Sequence, residues 1–286
     1  MKWIAALAAV LLWCGSLGVG LSQPPGQPAE VVWNRFETPN FEVLSINKEQ
    51  GEKLYRNLEQ MRRWLYGRWA FKEGPFSVKC KVLLCPDQAV YATLFKRDKQ
   101  AVQVERDAGG RTKSLAIWCY AGDRWYTSTV PSLLTEVVLC EFEATYGVRF
   151  PLWLHRGMAT LNSSVPDMRE RIGVLKQIYD QNLPCFWTED ILRMTPDKLA
   201  KYQPQNQLWF DRECAAFCLY LMKTHGQKKF LLFLDSSTNN RQPNISLLGY
   251  ASYQDFDKAF NRYMYNVSAD ISNGRTPNSY FTWDSW

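Results

Sequence analysis

Histidine is nearly missing from this chain. Only His155 and His225 occur among its 286 residues, so a multi-histidine metal site has few candidates. Long apolar runs are missing from the interior. None approaches the ~18 residues of a membrane-spanning helix, which excludes a polytopic membrane protein. No period of ~20–50 residues recurs, so solenoids and propellers are excluded. The Gly-x-Ser-x-Gly, phosphate-loop and dinucleotide glycine patterns are absent. Charge of one sign is not concentrated either: the formal net charge is +6, mild and spread along the chain. That is no footprint for nucleic acid or for a strongly acidic surface. Apolar residues, by contrast, make up 46% and aromatics 14% of the sequence, enough for a sizeable core and too many for a disordered chain.

The N-terminus carries a targeting pattern. Met1-Lys2 is a short positive start, Trp3 to Trp13 is an apolar run, and Gly20-Leu21-Ser22 offers small residues for cleavage before Gln23. Residues 1–22 therefore read as a secretory signal peptide, and the expected location is secreted, periplasmic or cell-envelope. The alternative is an uncleaved anchor, because Trp3 to Leu21 has only Ser16 as a polar break. Contact with a membrane is expected only in that case. Lipidation at Cys14 is disfavoured by Trp13, which stands where a small residue is needed. Residues 23–30 form a Pro-rich spacer.

Seven cysteines follow Cys14, at 80, 85, 119, 140, 185, 214 and 218. The odd number leaves at least one thiol free or bridged to another chain. Cys80 and Cys85 share one extended run and stand about 16 Å apart, too far for a bond. Cys214 and Cys218 sit at i, i+4 on an expected helix, where a bridge is strained. Buried thiols are the expectation.

Periodicity predicts strands at Phe41–Ser45, Val78–Leu84 and Ser114–Tyr120, and helices at Lys48–Tyr66 and Asp87–Lys96. Residues 96–113 are polar, with 6 Lys/Arg against 3 Asp/Glu, and Gly109-Gly110 marks a turn. From Pro131 the character changes. A helix is predicted from Pro131 to Tyr146, with Thr129 as N-cap and Gly147 as stop. Leu133, Leu134, Val137, Val138 and Leu139 cover nearly its whole circumference, so its first half should be buried on several sides. Further helices are expected near 152–161, 168–181, 189–201, 207–225, 227–235 and 253–265. The class is α+β: a small mixed α/β sheet layer over 31–130, then a helical part over 131–265. Residues 266–286 form an aromatic tail.

The stretches Leu134-Thr135-Glu136-Val137-Val138-Leu139-Cys140 and Pro151-Leu152-Trp153-Leu154-His155-Arg156-Gly157-Met158-Ala159 carry the most information. In them the chain resembles the peptidase MA-like (gluzincin) metalloproteases, whose fold is zincin-like. The family's first helix carries His-Glu-x-x-His; its second, after Pro-x-Trp-Leu, carries Glu-Gly-Leu-Ala, whose Glu is the third zinc ligand. The resemblance extends from Glu37-Thr38-Pro39-Asn40-Phe41 through His225-Gly226 to the Tyr253–Ala259 segment.

Aligned in this way, the two histidine ligands become Thr135 and Leu139, the general base is Glu136, and the third ligand becomes Arg156. A neutral alcohol is a poor zinc ligand, leucine offers no lone pair, and a guanidinium repels the cation. Only the base position survives, so no catalytic residue, metal or cofactor is expected. A one-residue shift pairs Glu136 with Cys140 on one face, near Glu143 and His155, but puts Val137 where the base belongs. His155 is also ~100° round its helix from the ligand position. The replacements suggest a structural substitute: an ion pair between Glu136 and Arg156 joining the two helices in place of the metal.

The resemblance thus implies an exported, catalytically inactive metalloprotease relative, a pseudoenzyme acting as a binding or structural protein. Peptide or protein is the implied occupant of the vestigial cleft, between the Ser114–Tyr120 strand and the Pro131 helix. Two alternatives remain open: a hydrolase with non-standard ligands, and a carbohydrate or cell-wall binder using exposed tryptophans.

Overall fold

The computed structural model describes residues 31–69, 71–181 and 186–277. The expected signal peptide, Cys14, the Pro-rich spacer, Cys185 and the Tyr280–Trp286 aromatics lie outside these residues. Contacts divide the chain into Met1–Val32 and Trp33–Trp286, and every element below belongs to the second unit.

Five strands form one sheet: β1 (Asn34–Glu37), β2 (Phe41–Ser45), β3 (Cys80–Cys85), β4 (Ala101–Arg106) and β5 (Thr112–Tyr120), in the order β1-β2-β3-β5-β4. The inner strands β2, β3 and β5 are parallel, and β1 and β4 pair antiparallel at the two edges. Parallel neighbours need crossovers, which α1 (Lys48–Arg68) and α2 (Gln88–Phe95) supply. The Asn47 side chain caps α1 by accepting from the Gln50 amide, and Asp87 caps α2 through the Val90 amide. Along β5, Leu115, Ile117 and Cys119 face a core shared with Leu54 and Leu58 of α1. Trp118 and Tyr120 take the opposite face, against the rings of Phe95 and Tyr91 on α2. This is the alternation a pleated strand imposes.

Two edge strands were hidden in the sequence. β4 lies inside the stretch read as a charged connector, and Ala-Val-Gln-Val-Glu-Arg alternates too briefly to stand out from its polar surroundings. Short, charged strands are typical of sheet edges. The Gly109-Gly110 turn sits in the loop that joins it to β5.

The second half is helical. A π-helical turn at Trp125–Thr129 runs directly into α3 (Val130–Tyr146). Thr129 therefore has helical dihedrals (φ −66, ψ −49) and makes no side-chain cap, unlike the N-cap expected of it; Pro131 does sit in the first turn. Then follow α4 (Leu152–Leu161), α5 (Val165–Gly173), α6 (Leu175–Asp180), α7 (Thr188–Arg193), α8 (Pro196–Leu199), α9 (Pro204–Ser237) and α10 (Tyr253–Ser272). The single helices expected at 168–181 and 189–201 are each two helices, and the last runs past residue 265 to Ser272. Gly226, at φ 77 and ψ 162, breaks α9 just after His225. Only glycine adopts that conformation freely, so the break falls where the sequence placed it.

The buried side chains form two clusters. Val130, Leu134, Val137 and Val138 of α3 join the sheet-side core. Leu139 joins the helical core with Trp153, Leu154, Met158 and Phe217. One helix wedged between two cores must be apolar nearly all round. Among the described residues no helix is long and apolar enough to cross a membrane.

Candidate functional site

The site the sequence singled out is the junction of α3 and α4. Thr135 is almost fully buried, 1% exposed. Its hydroxyl donates to the Pro131 carbonyl at 2.7 Å and accepts from the Asn162 side-chain amide at 2.8 Å. Leu139, one turn on, is inaccessible within the helical core. Ser132 donates to the Ala159 carbonyl at 2.7 Å and adds a further tie between the two helices. The N-terminal end of α3 is held from α5: Ser128 bonds Ser164 at 3.0 Å and also Asp167, which Arg124 pairs in turn.

Glu136 is exposed and forms no ion pair among the described residues. Arg156, also exposed, lies 3.6 Å from Asp211 of α9. The sequence reading set Arg156 against Glu136; the ion pair the structure gives it is with Asp211. Burial decides between the carboxylates. Water solvates Glu136, whereas Asp211 is largely enclosed and gains more from a counter-charge. Burial raises the Asp211 carboxyl above its ordinary value, Arg156 and Arg171 pull it down, and Glu136 pushes it up.

The tie between the helices that carries charge lies two turns further along α3. Glu143 Oε1 accepts from the Phe150 amide at 2.7 Å and faces His155 Nε2 at 3.2 Å. Its Oε2 accepts from Arg106 Nη2 at 2.9 Å, and the same nitrogen donates to the Cys140 carbonyl at 3.2 Å. One carboxylate thus joins α3, α4 and the edge strand β4. Burial pushes the Glu143 carboxyl up, but His155, the Phe150 amide and Arg106 outweigh it and hold it below its ordinary value.

α4 meets α9 backbone to side chain. A Cβ on Gly157 would stand 2.4 Å from Cys218 Sγ and 2.5 Å from the Cys214 carbonyl oxygen. The glycine of the Arg156-Gly157-Met158-Ala159 stretch is therefore a packing requirement, and it explains the i, i+4 cysteines as small residues under that crossing. Trp153 completes the contact, edge-on to Phe217 with centroids 5.2 Å apart.

The residues that the resemblance aligns with zinc ligands do not fit zinc. The Thr135 hydroxyl is already engaged, Leu139 has no donor atom, and Arg156 is a cation. Among the described residues no three His, Cys, Asp or Glu side chains gather as a metal-binding group. Cys140 is the described cysteine that is not fully buried; burial, then Glu143 and Glu136, push its thiol up to about 12, so it is protonated at neutral pH. His225, just before the Gly226 break in α9, is half-enclosed. Burial and Lys229 lower its pKa, and its Nε2 faces the Tyr250 hydroxyl at 3.5 Å.

The strand expected to border the cleft is not an edge strand. β5 is paired on both sides, by β3 and β4, so it offers no open edge. The open edge beside α3 is β4, with a register shift at Glu105/Arg106 where Arg106 leaves for α3. Among the described tryptophans, Trp64 (47%) and Trp187 (66%) are exposed. In the sequence Glu143 and His155 stand out only as neighbours of the Glu136 and Cys140 pair. Asn162, Arg106 and the Arg156–Asp211 pair carry no motif that could have revealed them.

No family model matches the chain, and no curated protein matches it.

Proposed function

We propose that this chain is an exported, catalytically inactive relative of the gluzincin proteases that binds an extended polypeptide segment at the open edge of β4, over α3. The observation that carries this reading is the set of side chains at the three ligand positions. Thr135 is committed to Pro131 and Asn162, Leu139 is core, and Arg156 faces Asp211. What supports peptide as the occupant is the edge itself. A strand paired on one side only keeps amides and carbonyls free for another strand, and β4 lies directly beside α3 through Arg106. The gluzincin layout, the secreted or cell-envelope location and the partner class all belong to this proposal.

One experiment on the purified full chain tests both halves. After exposure to zinc and dialysis, metal content should stay far below one ion per chain, and quenched-fluorescent casein should not be cleaved in a chelator-sensitive way. Reduced, carboxymethylated casein, used as an extended probe, should slow amide exchange in Ala101–Arg106. Stoichiometric zinc that is lost on Glu136→Gln or Cys140→Ser would overturn the inactive assignment. Protection elsewhere with β4 unchanged would overturn the edge.

A further inference from the structure

α7, α8 and the turn after them enclose a depression of about 360 Å3, lined by Asp190, Arg193, Met194, Lys198, Lys201 and Tyr202. Its size is at the lower end of small-molecule sites, and its lining mixes three kinds of chemistry. Tyr202 is 41% exposed, yet its ring is fixed from behind: Phe186 packs on it at 5.2 Å and in turn meets the buried Phe210 at 5.3 Å. Lys198 and Lys201 are one turn apart and exposed, and neither forms an ion pair among the described residues. Arg193, by contrast, is held by Glu189 at 2.9 Å. Asp190 also has no ion pair among the described residues, so the lining holds one unpaired carboxylate and two unpaired ammonium groups. The turn that presents the lysines is itself fixed, with the Lys201 amide bonded to the Lys198 carbonyl at 3.1 Å and the Tyr202 amide to Leu199 at 3.0 Å.

We infer that this depression binds an acidic saccharide, a sugar ring bearing a carboxylate. Four of the six lining residues have a counterpart on such a ligand. The ammonium groups of Lys198 and Lys201 meet the acid. The Asp190 carboxylate accepts hydroxyl protons, which an ionised side chain can only do from a donor-bearing ligand. The Tyr202 ring offers a flat amphipathic face to the sugar's C–H face. Trp187, 66% exposed, is the N-cap of α7, three residues before Asp190. Asp190 argues against a bare sulfate as the ligand, because that ion has no proton to donate and meets only repulsion from it. This inference is independent of the α3–α4 reading.

The test is calorimetric titration of the full chain with trigalacturonate, against a neutral galactose trisaccharide and against inorganic phosphate. Saturable binding of trigalacturonate is expected, weakened about tenfold or more by Lys198→Ala with Lys201→Ala and separately by Tyr202→Ala, a tenfold change being ~1.4 kcal/mol. These side chains are exposed, so unchanged circular dichroism is expected of the variants. Lys228→Ala, on α9, should leave binding as it was. Three results would overturn the proposal: no saturation with trigalacturonate, equal binding of phosphate or of the neutral sugar, or affinity unchanged in the Lys198/Lys201 and Tyr202 variants.

Discussion

Glu143 shows how one buried carboxylate is made tolerable. It is 8% exposed and receives an amide, an imidazole contact and a guanidinium. Its pKa lies below the ordinary 4.5, so its stabilising effect is complete above that value and is lost as pH falls through the lower folded-state pKa. Glu143→Gln should therefore destabilise the protein at neutral pH by about 1.5–3 kcal/mol, the scale of hydrogen bonds to a charged group. The gap between parent and variant should close on acidification below 4.5. Urea midpoints across that range check it, and a gap independent of pH would contradict the assignment. At this scale the sequence was legible in chemistry and not in pairing. It showed that Arg156 could not ligate a metal; it could not show that Asp211 rather than Glu136 takes the guanidinium, because that choice depends on how deeply each carboxylate is buried.

Helices α4 and α9 meet where Gly157 crosses Cys214 and Cys218. Gly157→Ala would force a methyl to 2.4 Å from the Cys218 sulfur and 2.5 Å from a backbone oxygen, and a backbone carbonyl does not swing aside as a flexible side-chain tip does. The expected loss is about 1–3 kcal/mol from overpacking, read as a lowered denaturation midpoint; an unchanged midpoint would show that the helices are less closely apposed. The glycine was visible in the sequence as part of a motif, while its reason lay on a helix some sixty residues further on. Elements with long regular patterns, such as α1, α3 and α4, were legible nearly to the residue. β4 was not, because an edge strand with Gln, Glu and Arg has the composition of a loop and gains its identity only by pairing with β5. Without β4, β5 looks like an open edge, whereas β4 covers it.

At the scale of the molecule, α3 is the shared wall of two cores, the sheet packing on one side and α4 with α9 on the other. Its composition, apolar almost all round in its first half, announced that position before any contact was known. The two helices are joined by Thr135–Asn162, Ser132–Ala159 and Glu143–His155, ties that need no metal. Under the proposed function, these helices keep a metalloprotease layout whose ligands have been replaced. Restoring the ligands tests that most directly: Thr135→His, Leu139→His and Arg156→Glu together, with Glu136 retained and zinc present during folding. The full-length variant, unlike the parent, should take up one zinc per chain in competition with a chelating indicator. A variant with the parent's circular dichroism that takes up no more zinc than the parent would contradict it.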